Sequence, residues 1–232
     1  TEGSEGLSQK EKMDKLNNQW RNLAVSDTYE PGSTFKVITT AAALEKGVVK
    51  MTDTFSCPGY KIVEDRRIRC HKTTGHGAET FLQGIMNSCN PVFMEVGARV
   101  GVSGMFEEIN RFGILKKTGI DVPGEAGTIM HKKENVGAVE LATMSFGQSF
   151  QLSPIRMLTS ISQIINGGKS ITPHFGVSAT NSDGTVMKKF AYNSGEEVIT
   201  EEKSKEICEA LGHVVTEGGG KNAAVEGYMV GA

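Results

Sequence analysis

Apolar residues recur at helical spacing through most of the chain, and glycine-rich turns separate the apolar runs. The most apolar run covers 33–45, follows Pro31-Gly32 and stops before Gly47, which predicts a buried helix with a C-terminal glycine stop. Apolar residues three or four positions apart predict seven further helices, at 7–21, 80–87, 91–100, 103–112, 140–144, 153–165 and 200–217.

Strand patterns are confined to two places. Short β-prone runs at 60–63 and 67–70 predict a small hairpin. Alternating runs at 169–180 and 185–190 flank Asp183-Gly184, a pair that signals a hairpin turn. Because helices and strands are segregated along the chain rather than alternating, the sequence favours the α+β class over a doubly wound sheet.

The composition allows one sizeable hydrophobic core. The chain has 232 residues, 38% of them hydrophobic, and a formal net charge of −2, so it lacks a broad basic field and we expect no nucleic-acid partner. The longest nearly uncharged stretch near the start, 37–44, is far shorter than the roughly 20 apolar residues that span a bilayer. The polar residues 1–28 predict a connector, and 57–165 predict a mainly helical lobe.

Ser33 and Lys36 form the candidate nucleophilic pair. They lie three positions apart on the most apolar predicted helix, so their side chains share one face. A serine hydroxyl is a weak nucleophile at neutral pH, but a lysine amine whose pKa is lowered by burial accepts its proton. The free N–H groups of the first helical turn also favour negative charge developing near Ser33. Alone, however, Ser-x-x-Lys is a weak motif.

A longer stretch around this pair strengthens the interpretation. Tyr29-Glu30-Pro31-Gly32-Ser33-Thr34-Phe35-Lys36 resembles the nucleophile signature of class B penicillin-binding proteins, and Ser88-Cys89-Asn90 matches their second motif, Ser-x-Asn. Further stretches similar to that family are Trp20-Arg21-Asn22, His76-Gly77, Phe112-Gly113, Thr118-Gly119-Ile120-Asp121-Val122-Pro123-Gly124-Glu125 and Ser145-Phe146-Gly147-Gln148. The resemblance covers most of the chain.

The resemblance implies a fold and a chemistry. The fold would be the one shared by penicillin-binding proteins and serine β-lactamases, an antiparallel sheet with flanking helices and a helical lobe, over 1–232. Ser33 would attack the D-Ala-D-Ala carbonyl of a peptidoglycan stem peptide, and an amine of a second strand would resolve the acyl-enzyme. Lys36 would be the base, Ser88 would relay a proton, and Asn90 would bind the substrate amide or Lys36. Catalysis would need no cofactor.

The resemblance also implies partners and a location. Besides stem peptides, β-lactam antibiotics would acylate Ser33, and a membrane glycosyltransferase of the wall machinery would be a protein partner. The domain would face the outside of the cell membrane, or the forespore membrane if it belongs to the sporulation-specific branch that the sequence favours. A cell-division transpeptidase, a β-lactamase or DD-carboxypeptidase, and a non-catalytic β-lactam-sensing scaffold are the alternatives.

The third family motif, Lys-Thr-Gly, is expected on a strand beside the active site. Lys117-Thr118-Gly119 has these letters but follows a predicted helix and precedes a turn-rich stretch, so we interpret it as a helix-ending loop. By the resemblance, the functional copy would come directly after Val230-Gly231-Ala232. Without that strand, the 232-residue chain would be a poor enzyme, because losing even one oxyanion donor costs roughly 10²- to 10³-fold in rate.

Cysteines and histidines near the first predicted hairpin suggest a structural metal site. Cys57, Cys70 and His71 lie at its two ends, Asp65 lies near its tip and His76 follows shortly after. Zinc favours two thiolates with nitrogen or oxygen ligands, so we predict zinc held by Cys57, Cys70, His71 and Asp65, with His76 as the alternative fourth ligand. A disulfide between the two cysteines and two free thiols stay open as alternatives. Cys89 and Cys208 are expected to be buried apolar residues without a chemical role.

Overall fold

The computed structural model of the chain describes residues 6–232, which form an α+β fold of eight helices and six short strands. The helices are α1 (Gln9–Trp20), α2 (Leu23–Ser26), α3 (Lys36–Glu45), α4 (Phe81–Met86), α5 (Asn90–Arg111), α6 (Ala138–Met144), α7 (Pro154–Ile165) and α8 (Glu201–Thr216). The strands are β1 (Thr54–Cys57), β2 (Tyr60–Val63), β3 (Arg66–Arg69), β4 (Gly77–Thr80), β5 (Ser178–Thr180) and β6 (Val186–Lys189). Single 3-10 turns lie at Gly32–Phe35, Lys133–Asn135 and Lys221–Ala223.

Helix α3 lies at the centre of the core, as its apolar sequence predicts. Every residue from 38 to 44 is buried, and α5, α7 and α8 pack around the helix. Each large apolar side chain buried in this way stabilises the fold by about 1.5–3 kcal/mol. The core therefore fixes the helix that carries the candidate catalytic lysine.

The strands form three separate antiparallel ribbons rather than one broad sheet. The ribbon β2–β3 and the ribbon β5–β6 are the two predicted hairpins, and β5–β6 is shorter than its sequence pattern suggested. The third ribbon pairs β1 with β4, Thr54 opposite Thr80 and Cys57 opposite Gly77. The sequence did not predict it because its strands are short and far apart in the chain, so only tertiary packing selects their pairing.

The helix boundaries agree closely with the sequence pattern, except that the four-residue helix α2 was not predicted. The two helices predicted at 91–100 and 103–112 are confirmed as the two halves of α5, which meet at a kink at Gly101, whose φ of 72° is not helical. Glycine adopts this backbone conformation without the steric cost that other residues incur, so it permits the kink between the two halves.

Helix α1 lies within the predicted connector and has no buried residue. The first five residues of that connector lie outside the described part of the chain, and its boundary at 28 and the lobe boundaries at 57 and 165 stay predictions. Across residues 6–232, we find no helix that combines the length and the hydrophobicity needed to cross a membrane.

Candidate active site and thiol cluster

Ser33 is held at the entrance to α3 by a neighbouring loop. The segment before it pairs with the segment after α6: the N–H of Gly32 donates to the carbonyl of Gly147 (2.8 Å) and that of Tyr29 donates to Leu152 (3.1 Å). Gly147 has a φ of 83°, and a Cβ there would lie only 2.0 Å from the Gly32 oxygen. Glycine is therefore required at 147 for the close backbone contact that positions Ser33.

The Lys36 amine lies at the centre of four oxygen atoms. Its Nζ is 3.2 Å from Ser33 Oγ, 2.9 Å from Ser88 Oγ, 2.6 Å from the Ser88 carbonyl and 2.8 Å from Asn90 Oδ1. An ammonium group has three N–H donors, so one oxygen is left without a proton from it. A neutral amine instead has two donors and a lone pair, and the lone pair can accept the Ser33 hydroxyl proton.

Burial favours that neutral form. Lys36 is only 4% exposed, and burial lowers its pKa from 10.5 to about 8, although Cys70 and Cys89 act in the opposite direction. The Phe93 ring, whose centroid is 5.3 Å from Nζ, covers one side of the amine. The amine is therefore suited to exchange a proton near physiological pH, as a general base requires.

Ser88 and Asn90 reach Lys36 from the turn between α4 and α5. Ser88 has a φ of 48°, a left-handed conformation uncommon outside glycine, and in it both its carbonyl and its hydroxyl accept from the Lys36 amine. Asn90 begins α5 and uses its other amide atom, Nδ2, to donate to the Arg69 carbonyl (3.2 Å). The structure thus brings together all four residues predicted for catalysis.

Lys117-Thr118-Gly119 is a loop after α5, as predicted. The Thr118 N–H donates to Glu125 Oε1 (2.6 Å), and both side chains are buried. This hydrogen bond closes the turn-rich segment on itself, and none of the three residues contacts the Lys36 amine among the described contacts.

A mostly apolar cleft of about 330 Å³ lies beside the nucleophile. Its lining includes Ser33, Lys36, Ser88, Phe93, Ile207 and Ala232. An apolar cleft with a few convergent polar groups is the usual form of a small-substrate site. The K-T-G strand expected after Ala232 stays a prediction.

A second group of reactive side chains lies behind the Ser-x-Asn turn. The sulfurs of Cys57, Cys70 and Cys89 and a ring nitrogen of His76 all lie within 4.8 Å of one another, and the three cysteines are buried. We call these four residues the thiol cluster. They come from the ends of β1 and β3, the loop before β4 and the residue before α5.

The thiol cluster corrects the predicted ligand set. Cys57 and Cys70 belong to it, but Asp65 lies at the tip of the β2–β3 hairpin, with its side chain 83% exposed and paired with Arg66. His71 Nδ1 is 3.8 Å from Cys70 Sγ yet lies outside the mutual group, and His76 and Cys89 complete it instead. The hairpin extends away from the cysteines, so its tip cannot fold back as a ligand.

The predicted metal ligands did not include Cys89, although the spacing of the cysteines pointed to it. Three cysteines and His76 fall within one short segment, 57–89, whereas Cys208 lies far away on α8. Cys89 entered that prediction only as the middle residue of Ser-x-Asn and so was not placed with the other two cysteines.

The chemistry of the thiol cluster suits a soft metal. All four cysteines of the chain are free thiols, and burial raises the pKa of Cys89 while it lowers that of His76. Three sulfurs and one imidazole nitrogen are a recognised tetrahedral donor set for zinc, and here all four donor atoms lie within 4.8 Å of one another. The residues present therefore fit a structural zinc ion.

Known proteins with similar sequences include transpeptidases. The family described as "Penicillin binding protein transpeptidase domain" matches residues 4–232. The chain belongs to this transpeptidase family. It is 46% identical over 213 residues to Stage V sporulation protein D of Bacillus subtilis, covering 91% of this chain and 33% of that protein.

Two further proteins are similar to the same domain. Peptidoglycan D,D-transpeptidase FtsI of Escherichia coli is 28% identical, over 90% of this chain and 34% of its own. The crystal structure of the D,D-transpeptidase domain of a peptidoglycan glycosyltransferase from Eggerthella lenta superposes with a TM-score of 0.86, at 24% identity over 96% of this chain and 58% of its own. The chain spans about a third of the length of the curated relatives it matches.

Proposed function

We propose that this transpeptidase domain cross-links peptidoglycan stem peptides as a serine D,D-transpeptidase, through an acyl-enzyme on Ser33. The observation that carries the proposal is the buried Lys36 amine 3.2 Å from Ser33 Oγ, held by Ser88 and Asn90. Relatives named peptidoglycan D,D-transpeptidase support the same activity.

In acylation, Ser33 Oγ bonds to the carbonyl carbon of the penultimate D-Ala while its proton passes to the neutral Lys36 amine. The bond from that carbon to the terminal D-Ala nitrogen then breaks. Lys36 returns the proton to the leaving amine through the Ser88 hydroxyl, which is 2.9 Å from Nζ. Asn90 keeps the lysine in place, and its remaining Nδ2 hydrogen is available to a substrate carbonyl.

In the second half-reaction, the amine of another stem peptide attacks the carbonyl carbon of the Ser33 ester, and the proton that this amine loses passes to the neutral Lys36 amine. When the bond from that carbon to Ser33 Oγ breaks, Lys36 gives the proton to Ser33 Oγ. A β-lactam would acylate the same oxygen through its ring carbonyl. The similarity to Stage V sporulation protein D supports a role in sporulation. As part of the same proposal, the domain would act in spore cortex synthesis at the outer face of the forespore membrane, beside a glycosyltransferase partner.

The same proposal includes a structural zinc ion in the thiol cluster. Cys89 lies between Ser88 and Asn90, so zinc bound there would hold the turn that carries both catalytic side chains. Zinc would hold β1, β3 and the start of α5 together, and would take no part in catalysis.

The test is a cross-linking assay with a lipid-linked precursor on the full-length gene product. Ser33→Ala should abolish cross-linked product, whereas Ser178→Ala, an exposed serine on β5, should leave it unchanged. Hydrolysed peptide in place of cross-links would instead indicate a carboxypeptidase or β-lactamase. Stable binding of penicillin with neither product would indicate a non-catalytic sensor.

A further inference from the structure

The β2–β3 hairpin has one face that the fold does not use. Antiparallel pairing sets Tyr60 opposite Arg69 and Ile62 opposite Arg67, so these four side chains share a face. Ile62 is 63% exposed, and both arginines are exposed. We call these four residues the outer hairpin face. On the opposite face, Val63 and Ile68 pack against the core and hold the hairpin in place.

The arginines of the outer hairpin face have no acidic partner. Lys61 and Arg66, on the other face, pair with Glu95 (3.2 Å) and Asp65 (3.5 Å). Within residues 6–232, by contrast, no carboxylate pairs with Arg67 or Arg69. The Arg67 guanidinium stacks on the Tyr60 ring at 3.8 Å, which orients it and leaves its edge N–H groups free.

The local charge is unusual for this chain. Residues 60–72 carry five cationic side chains against two carboxylates, in a protein whose net charge is −2. A concentration of unpaired guanidinium groups indicates an anionic ligand, because planar guanidinium groups bind carboxylates with two parallel hydrogen bonds.

The outer hairpin face is joined directly to the candidate active site. Asn90 donates through Nδ2 to the Arg69 carbonyl (3.2 Å) and accepts through Oδ1 from the Lys36 amine (2.8 Å). Arg69 is therefore one hydrogen bond from a catalytic side chain. Yet among the described residues that line the cleft beside Ser33, none belongs to β2 or β3. The hairpin thus adjoins the catalytic group from outside the cleft.

We propose that Arg67 and Arg69 bind carboxylates of the acceptor stem peptide, the one whose amine resolves the acyl-enzyme. This inference rests on the proposed function. A donor peptide would occupy the cleft, and the acceptor must approach the Ser33 ester from a second direction. Residues two apart on one strand are about 6.6 Å apart, so the two guanidinium groups can bind two carboxylates of one peptide while Ile62 contacts its apolar part.

The experiment measures two steps separately in the full-length gene product: acylation of Ser33, and transfer of the acyl group to the acceptor peptide. The double variant Arg67→Gln/Arg69→Gln is compared with Arg66→Gln, which removes a cation from the same hairpin but from its opposite face. We expect the double variant to raise the KM for an acidic acceptor peptide about tenfold, as loss of charge-assisted hydrogen bonds predicts. Acylation of Ser33 by a fluorescent penicillin should stay within twofold of wild type. Arg66→Gln should change neither quantity.

Amidation of the acceptor carboxylates provides a second readout. The amidated peptide should have the same raised KM with wild type and with the double variant. An unchanged KM for the acidic peptide in the double variant would overturn the inference while leaving the transpeptidase proposal intact. The inference would also be overturned if the double variant kept its KM for the acidic peptide but no longer co-sedimented with phosphatidylglycerol vesicles. The hairpin would then contact lipid rather than the acceptor peptide. Absence of acylation in the wild type would overturn both proposals together.

Discussion

The candidate catalytic group, which comprises Ser33, Lys36, Ser88 and Asn90, meets the thiol cluster at Ser88-Cys89-Asn90. The two groups are assembled in different ways. Ser88 and Asn90 contact the Lys36 amine, whereas Cys89 between them contributes its sulfur to the thiol cluster. The catalytic group draws on two contiguous motifs. The thiol cluster draws on four separate segments.

Within the catalytic group, the Ser33–Lys36 pair is fixed by local structure, whereas Ser88 and Asn90 reach Lys36 only through tertiary packing. The whole thiol cluster depends on such packing. Helix geometry alone brings a side chain at i+3 next to one at i, so Ser33 and Lys36 meet as soon as the first turn of α3 forms. The thiols converge only after β1, β3 and α5 have packed. We therefore expect substitutions in the catalytic group to change rates, and substitutions in the thiol cluster to change metal content and stability.

Replacing the catalytic amine should give the largest effect. Lys36→Met keeps an unbranched side chain in the buried site but removes the base, so acylation by penicillin should slow by about 10²- to 10⁴-fold. Lys50→Met removes an exposed lysine and should have no effect. Stopped-flow fluorescence with a labelled penicillin measures the acylation rate. A decrease in that rate of less than threefold in Lys36→Met would contradict the assignment of Lys36 as the base.

Alanine substitutions at two glycines distinguish the cost of backbone strain from the loss of the contact that positions Ser33. Gly147 and Gly167 both have positive φ, but a Cβ at 147 would lie 2.0 Å from the Gly32 carbonyl oxygen, whereas a Cβ at 167 meets nothing within 4 Å. Gly167→Ala should cost about 1–2 kcal/mol of stability, and Gly147→Ala about 1–3 kcal/mol more.

Acylation distinguishes the same two variants. Displacement of Gly32 should slow acylation by about 10²-fold in Gly147→Ala, because misplacing reacting groups by an ångström costs that much. Gly167→Ala should acylate at the wild-type rate. Urea denaturation and penicillin acylation measure the two effects, and equal results for both variants would refute the role of the Gly32–Gly147 contact.

The thiol cluster predicts zinc content. Protein purified without chelator should contain about one equivalent of zinc, and Cys57→Ser or Cys89→Ser should lower it below about a tenth, because each removes one ligand. Cys208→Ser and Asp65→Asn should leave it unchanged. Elemental analysis measures zinc, and intact mass detects the alternative: a loss of 2 Da without zinc would show a disulfide.

The last prediction concerns how acylation depends on pH. Burial lowers the Lys36 pKa to about 8, and only the neutral amine accepts the Ser33 proton. Acylation should therefore rise with pH, by up to about tenfold per unit below 7, reach half its maximum near pH 8 and level off above it. The rate constant measured from pH 6 to 10 checks this, and the residual rate of Lys36→Met should lack that inflection.

Most of the fold and the whole catalytic group could be predicted from the sequence, and particular residues show why. The helices and both hairpins follow from local periodicity and turn residues, and Ser33 with Lys36 follows from one helical turn. The β1–β4 ribbon and the approach of His76 to Cys89 depend on pairings between distant segments, which no local pattern encodes. Asp65 was wrongly placed because its sequence position near two cysteines does not reveal that the hairpin tip points into solvent.

The most direct test of the account is to locate the penicillin adduct by peptide mass mapping on the full-length gene product at pH 8. The account predicts one stoichiometric adduct on Ser33, absent from Ser33→Ala and still formed, more slowly, in Ser88→Ala. An adduct on any other residue, or an adduct that persists in folded Ser33→Ala, would contradict the assignment of Ser33 as the nucleophile.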